Sequence, residues 1–206
     1  MDDVERIKDA VLSGRSVARE EAEALYAQPL DRLCRCADEI RRHFCSNGFD
    51  LCTIVNGKSG RCSENCRFCA QSAHNHTGVE EYPLLPAEKI VAQARRNDRQ
   101  GVLRYSIVTS GKRLTDGEVD AMCQAVRRVR RETGISVCIS FGLLEEAQYR
   151  KLKEAGATRV HNNLETSRRY FPHVCTTHTF DDKLRAIRAA QAARGAVCSG
   201  GIMGVG

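Results

Sequence analysis

The chain has 206 residues with 42% hydrophobic composition and a formal net charge of +6, which suffices for one domain with a buried core. It has no apolar run of the ~18 residues that a membrane span needs, it begins with an acidic segment, and its basic residues are scattered among few aromatics, so we predict a cytoplasmic protein with neither a membrane nor a nucleic-acid partner. Eleven cysteines in a protein of that compartment indicate metal or redox chemistry rather than a disulfide scaffold.

The chain divides into a helical start and a longer mixed part. Residues 1–45 have apolar positions at helical spacing, such as Val4, Ile7 and Val11, and predict an N-terminal helical extension. In residues 46–206, short β-branched or aromatic runs alternate with helical stretches, which indicates an α/β fold with a parallel sheet curling into a (β/α) barrel. The predicted strands are Phe49–Val55, Leu103–Val108, Ser136–Phe141, Arg159–Leu164 and Ala196–Ile202.

A closed barrel of this class needs about eight strands and ~250 residues. The sequence ends directly after the fifth predicted strand. We therefore expect an incomplete barrel from a C-terminally truncated sequence.

Polar side chains recur on one face of the later strands. Ser136, Cys138 and Ser140 share a face of the third strand because side chains alternate along a strand. The same alternation groups His161 with Asn163 and Glu165 on the fourth, and the fifth carries Cys198. Such faces predict a lumen that holds ligands rather than a purely apolar barrel interior.

Three cysteines follow the first strand with gaps of three and two residues: Cys62, Cys66 and Cys69. Three thiolates on one short loop can hold three irons of a 4Fe–4S cluster and leave the fourth without a protein ligand. An iron of that kind can bind S-adenosylmethionine (SAM) and deliver an electron to its sulfonium. The alternatives are a zinc site completed by His74 or His76, or inert buried thiols.

This loop, NGKSGRCSENCRFCAQSA, closely resembles the cluster loop of biotin synthases, a family of the radical SAM superfamily. The resemblance continues through VHNNLETSRRYF, TTHTFDDKL and AVCSGGIMGVG. It implies a sulfurtransferase that converts dethiobiotin to biotin, with a 4Fe–4S cluster, SAM and an external electron donor of the flavodoxin or ferredoxin type. It also makes a homodimer possible.

The resemblance implies roles for several residues. Asn163 and Glu165 correspond to residues that hold the SAM ribose, with Glu165 in place of the commoner Asp, and Phe68 corresponds to an aromatic beside the adenine. Lys183 stands where relatives have an Arg that assists SAM binding, although Lys lacks the planar fork of Arg. His161 contacts substrate or is an ordinary core histidine.

The family also carries an auxiliary 2Fe–2S cluster that donates sulfur, held by three cysteines and an arginine. Cys138 and Cys198 match two of these cysteines, Ser106 stands at the third position, and the arginine is expected beyond the end of the sequence. Serine is a poor iron ligand compared with thiolate. Cys45 and Cys52 could instead supply two further thiolates for a larger auxiliary cluster, or they are ordinary buried thiols.

Two other functions stay open at this point. A radical SAM enzyme of the hydrogenase-maturation or methylornithine type should share the barrel and the three loop cysteines but lack the pair Cys138 and Cys198. A zinc-stabilised binding module is the non-enzyme alternative, and it would be colourless where an iron–sulfur protein is brown.

Overall fold

The computed structural model describes residues 3–206, which form two compact units, one ending at Phe49 and one running from Asp50 to Gly206. No helix in residues 3–206 combines the length and the apolar character that a membrane crossing requires. The elements of these residues, in chain order, are α1 (Asp3–Leu12), α2 (Arg19–Leu25), α3 (Leu30–Phe44), β1 (Cys52–Lys58), α4 (Ala87–Arg99), β2 (Arg104–Thr109), α5 (Asp116–Glu132), β3 (Ser136–Ser140), α6 (Glu146–Glu154), β4 (Ala157–His161), α7 (Phe171–Val174), α8 (Phe180–Ala192) and β5 (Ala196–Cys198).

The N-terminal unit is helical, as predicted. α1 packs against α3, and the residues buried between these amphipathic helices are Val4, Ile7 and Cys36. Lys8 of α1 crosses to α3, where its ammonium lies 2.9 Å from the Glu39 carboxylate. The unit is therefore held by a small apolar seam with charged groups at its rim.

The second unit is a five-stranded, all-parallel sheet in the order β1-β2-β3-β4-β5. A layer of helices follows the same order, because α4 packs on α5, α5 on α6, and α6 on α8. Consecutive strands that pair in parallel require a crossover between them, and these helices supply it. The predicted α/β fold is confirmed.

The main core lies between the sheet and this helical layer. Tyr105 and Ile107 of β2 and Ile139 of β3 point to the helices and are fully buried, and the Tyr105 hydroxyl donates to the carbonyl of Ile90 in α4. Burying side chains of this size contributes about 1.5–3 kcal/mol each. Because strand residues alternate, the residues between them point to the opposite face.

We call that opposite face the inner face; among the described residues it carries Cys52, Ile54, Ser106, Cys138 and Cys198. Ser106 and Cys138 are buried, whereas Cys52, Ile54 and Cys198 are exposed. The prediction that polar and thiol groups share this face of the strands is confirmed for β3 and β5, and Ser106 of β2 lies on the same face.

Three predicted strands have wrong boundaries, and the fifth is one of them, since β5 ends at Cys198 rather than Ile202. β1 begins at Cys52 rather than Phe49, whose side chain is 86% exposed. β4 begins at Ala157 and ends at His161, so Asn163 and Glu165 lie in the loop after the strand, and Glu165 has a φ of 69° that no strand residue adopts. Only His161 of that predicted polar face belongs to the strand.

Candidate active site

The three cysteines lie on the loop that follows β1, at the carboxyl end of the parallel strands. Cys62 is buried, and Cys66 and Cys69 are half-buried. Backbone hydrogen bonds close the loop on itself: Cys62 N–H donates to Gln71 O at 3.0 Å, and Ala73 N–H donates back to Cys62 O at 2.9 Å. The spacing predicted from the sequence therefore becomes one compact loop that presents all three thiols.

Side chains brace this loop from within. The Asn75 amide donates to the carbonyls of Cys66 and Cys69, at 3.1 and 2.9 Å. The side-chain oxygen Oε1 of Gln71 accepts from Gly60 N–H at 2.6 Å. Both side chains bind backbone groups near the thiols, so hydrogen bonds within the loop fix its conformation. Three thiols held in this way on one loop fit a 4Fe–4S cluster that needs three protein ligands.

A second segment, residues 175–178, is hydrogen-bonded to the same loop through Asn65. The Asn65 carbonyl oxygen accepts from the backbone N–H groups of Thr176 and Thr177, at 2.9 and 3.3 Å, and from the Cys175 thiol at 3.4 Å. Its amide donates to the Thr176 hydroxyl at 2.7 Å. One side chain thus binds two segments that are more than 100 residues apart in the sequence.

Glu64 and His178 form a buried pair beneath this contact. The Glu64 carboxylate lies 2.5 Å from His178 Nδ1 and accepts the Thr177 hydroxyl at 2.9 Å. Burial lowers the pKa of His178 below its usual value, so the neutral imidazole donates Nδ1–H to the carboxylate. Burial raises the pKa of Glu64, but its hydrogen bonds to His178 and Thr177 outweigh that effect and hold the pKa below normal.

Cys66 is the loop cysteine with the most perturbed thiol. Burial, together with the neighbouring Cys175 thiol, raises the pKa of Cys66 to about 12, and the ammonium of Lys183 acts in the opposite direction. Lys183 thus lies close enough to the loop to act on Cys66, while its Nζ donates to the Asn162 side chain at 3.1 Å. A cation beside the loop favours thiolates there.

The other predicted SAM residues surround the same end of the sheet. Phe68, between the second and third loop cysteines, is 46% exposed. Glu165 N–H donates to Gly200 O at 3.1 Å, and Glu165 O accepts Ile202 N–H at 2.7 Å, which fixes the loop after β4 to the segment after β5. Asn163 lies in that same loop and is half-buried. These positions suit a ligand at the carboxyl end of the strands.

The inner face brings together most of the predicted auxiliary ligands. Ser106 pairs in register with Cys138, and the Cys52 thiol lies 4.0 Å from the Ser106 hydroxyl. Burial raises the pKa of Cys138, the Ser106 hydroxyl lowers it, and the Cys198 and Cys52 thiols raise it further. Cys45, by contrast, caps the C-terminal end of α3 in the N-terminal unit.

Two polar groups extend this cluster. Arg159 of β4 pairs in register with Cys138 and acts to lower its pKa. His161, two residues further along β4, places Nδ1 3.3 Å from the Ser140 hydroxyl. His161 is half-buried on the inner face.

Sequence reasoning missed Cys175, His178, Glu64, Asn65 and Arg159. Their contacts with the cysteine loop or with Cys138 are made between distant segments, which no local spacing reveals. The Cys-x2-His spacing of Cys175 and His178 was the one available signal.

Comparison with known proteins agrees with this geometry. The family description "Radical SAM superfamily" matches residues 58–206. The chain is 61% identical to a biotin synthase of Akkermansia muciniphila over 95% of this chain and 61% of that protein, and 52% identical to a biotin synthase of Brachyspira hyodysenteriae over 98% of this chain and 61% of that protein. The chain thus spans about three fifths of the length of these curated relatives.

Two solved structures share the fold at low sequence identity. A methylornithine synthase (PylB) has a TM-score of 0.81 at 23% identity, covering 97% of this chain and 59% of that one. The hydrogenase maturase HydG has a TM-score of 0.84 at 19% identity, covering 99% of this chain and 47% of that one. With the three cysteines on one braced loop and the family match over most of its length, the chain belongs to the radical SAM superfamily, and the predicted (β/α) barrel of that type is confirmed.

Proposed function

We propose that the protein is a biotin synthase, a radical SAM sulfurtransferase that closes the thiophane ring of biotin on dethiobiotin. The observation that carries the proposal is the cluster of Cys52, Ser106, Cys138 and Cys198 on the inner face of the sheet. Thiols gathered on the sheet that carries the cysteine loop are what a sulfur-inserting enzyme needs. The identity to biotin synthases supports the same substrate.

The 4Fe–4S cluster and SAM, when bound, supply a carbon radical that can take hydrogen from an unactivated carbon. Cys62, Cys66 and Cys69 would hold the cluster. Lys183 offers a cation for the SAM carboxylate.

The remaining SAM contacts come from the loop after β4 and from the cysteine loop. Asn163 and Glu165 offer an amide and a carboxylate to the ribose hydroxyls. Phe68 offers an aromatic ring to the adenine. His161, on the inner face between these residues and Cys138, would orient dethiobiotin through a hydrogen bond.

For the auxiliary cluster we propose Cys138 and Cys198 as ligands and sulfur donation from that cluster. Cys52 lies within reach of the same position, and Ser106 offers a hydroxyl there. Cys45 is proposed from the sequence alone. Replacing Cys45 and Cys52 by Ala and counting iron after reconstitution tests the four-thiolate version, and unchanged iron content removes it.

An anaerobic incubation with SAM, a reductant of the flavodoxin or ferredoxin type and dethiobiotin tests the function, with 5′-deoxyadenosine and biotin measured by mass. We expect both products. Cys138→Ala should keep 5′-deoxyadenosine formation and lose biotin, whereas Cys123→Ala, at an equally buried thiol of α5, should keep both. Formation of 5′-deoxyadenosine without biotin by the unaltered chain would leave the superfamily intact and remove the substrate.

A further inference from the structure

Cys66 has two potential metal ligands beside it that do not belong to the cysteine triad. One ligand atom from each of Cys66, Cys175 and His178 lies within 4.8 Å of the other two. Cys175 and His178 are buried, with exposures of 3% and 6%. The three side chains come from two segments, the cysteine loop and the turn between α7 and α8.

Two thiols and an imidazole are a donor set for a single thiophilic divalent cation. Zinc binds Cys and His ligands in tetrahedral sites, and sulfur ligands select it against the harder cations. The Cys175 thiol lies 3.3 Å from His178 Nδ1, as adjacent ligands of one small cation do. Glu64 places a carboxylate oxygen 2.5 Å from the same nitrogen, so an anion already stands beside the position of the cation.

Hydrogen bonds of the scaffold fix this arrangement. Asn65 ties Cys175 and the two threonines after it to the cysteine loop, and Arg67 N–H donates to Val174 O at 3.0 Å just before Cys175. A cation therefore meets ligands that are already gathered, which reduces the ordering cost of binding.

We propose that, while the iron–sulfur cluster is absent, Cys66, Cys175 and His178 bind one zinc-type divalent cation, and that this state excludes the cluster because both need the Cys66 thiolate. On binding, the two thiols release their protons to solvent. His178 binds through Nδ1 as the neutral tautomer, so the proton that Nδ1 donates to Glu64 in the metal-free chain moves to Nε2, with no change of oxidation state. A water molecule or Glu64 completes four ligands. The site does not depend on which substrate the enzyme uses.

Cobalt(II) titration of the cluster-free full chain under anaerobic conditions tests the site. Tetrahedral cobalt absorbs in the visible, and thiolate ligands add a charge-transfer band at shorter wavelength. We expect one cobalt ion per chain, displaced by one equivalent of zinc. Cys175→Ala and His178→Ala should each weaken cobalt binding by more than about tenfold, since even orienting groups around a metal contribute that much.

Two controls separate this site from the triad. The double variant Cys62→Ser, Cys69→Ser removes the other loop thiols and should bind cobalt as the unaltered chain does. Cys123→Ala removes a thiol as buried as Cys175 but in α5, and should also leave binding unchanged. Circular dichroism of every variant checks the fold, and His178→Gln serves where His178→Ala does not fold.

Zinc inhibition of cluster assembly gives a second readout. Zinc added before iron and sulfide should slow reconstitution of the unaltered chain at least about tenfold and have little effect on Cys175→Ala. Cobalt binding that survives Cys175→Ala but is lost in the Cys62, Cys69 double variant would assign the ion to the triad and overturn the proposal. Absence of a tetrahedral spectrum in the unaltered chain would overturn it equally.

Discussion

The Asn65 side chain joins the cysteine loop to a segment 110 residues further along the chain. Each of its contacts fixes the loop backbone between Cys62 and Cys66 or the turn that carries Cys175, so its energetic role should be to hold the cluster ligands in place. Outer groups that orient metal ligands contribute about 10–100-fold to metal affinity. Loss of this side chain should therefore act on the cluster before it acts on the fold.

We predict that Asn65→Ala shortens the half-life of the 4Fe–4S cluster under an iron chelator by about tenfold. Asn65→Asp keeps the accepting oxygen, so its cluster half-life should lie between those of Asn65→Ala and the unaltered chain. Absorbance decay of the reconstituted protein measures the half-life. Asn97→Ala removes another polar contact, a 2.9 Å hydrogen bond from α4 to Thr53 in β1, and should leave the half-life unchanged. Equal decay in both Ala variants would contradict the prediction.

Ser106 is the residue at which this chain departs from the thiol pattern of the inner face. A thiol there would stand beside Cys52, whose sulfur lies 4.0 Å from the Ser106 oxygen, and opposite Cys138 in the register. Because thiolate binds iron better than a serine hydroxyl does, Ser106→Cys should raise the iron retained on the inner face.

The iron on the inner face is best measured in a chain whose cysteine triad binds no iron. In a chain with Cys62, Cys66 and Cys69 replaced by Ala, Ser106→Cys should increase iron per chain after reconstitution and gel filtration. Ser140→Cys, on β3 beside His161, is the matched control and should not. Iron that is unchanged by Ser106→Cys would remove Ser106 from the auxiliary site.

At the residue scale the sequence predicts what is local. Cys62, Cys66 and Cys69 are adjacent because of their spacing, and the structure keeps them on one loop. Cys175 and His178 approach Cys66 only because α7 and the turn after it pack against that loop. Contacts of that kind depend on the tertiary fold, which a single sequence does not display.

The N-terminus of α5 contacts the end of β1, the strand that precedes the cysteine loop. Glu118 closes the capping box with Thr115 and accepts from Lys58, the last residue of β1, at 2.6 Å. Burial raises the pKa of Glu118, but the hydrogen bonds from Lys58 and Thr115 outweigh it and hold the pKa below its usual value. The contact thus anchors the strand end from which the cysteine loop departs.

A carboxyl group whose pKa is lowered by folding stabilises the protein above its unfolded pKa, and that stabilisation is lost as the pH falls through the folded pKa. We predict that Glu118→Gln lowers the melting temperature at pH 7 and that the gap to the unaltered chain narrows as the pH falls below about 4.3, the ordinary value for Glu. Lys58→Met should behave in the same way. A gap that stays constant over this range would show that the ion pair contributes nothing.

Gly142 closes the turn between β3 and α6 at a place that no other residue can occupy without strain. Its φ is +76°, and a β carbon would lie 2.1 Å from the carbonyl oxygen of Lys112. We predict that Gly142→Ala costs more than about 3 kcal/mol, the range of a clash added to an unfavourable backbone conformation.

Gly101 provides the matched control, since its φ is +78° but nothing lies within 4 Å of its β-carbon position. Gly101→Ala should cost only about 1–2 kcal/mol, the price of the left-handed conformation alone. Urea unfolding at constant slope measures both. Similar costs at the two positions would show that the turn moves away from the added methyl group.

Element boundaries were the least predictable feature. Alternation identified the inner-facing residues of β3 correctly, because its polar and apolar side chains alternate strictly along the strand. The same alternation predicted a fourth strand that is too long, because Asn163 and Glu165 continue the polar period. The backbone has left the strand by then, and Glu165 has a φ of 69°. Side-chain polarity does not report where a strand ends.

At the scale of the whole molecule, free cysteines occur in both compact units and differ in exposure. In the described chain the exposed cysteines are Cys34, Cys45, Cys52 and Cys198, and the buried ones are Cys36, Cys62, Cys123, Cys138 and Cys175. Composition and period were enough to predict the α/β class, but they could not rank these thiols, because burial depends on which elements pack together. Chemical labelling measures that ranking directly.

We predict that a short pulse of iodoacetamide on the cluster-free, metal-free chain modifies the four exposed cysteines first, Cys66 and Cys69 next, and the five buried thiols last, as read by peptide mass spectrometry. Loading the 4Fe–4S cluster should then protect Cys66 and Cys69 while leaving Cys34 as reactive as before, since Cys34 lies in the N-terminal unit. Adding zinc alone should protect Cys66 but not Cys69, because only Cys66 is shared with Cys175 and His178. Protection of Cys69 by zinc would place that ion on the triad instead.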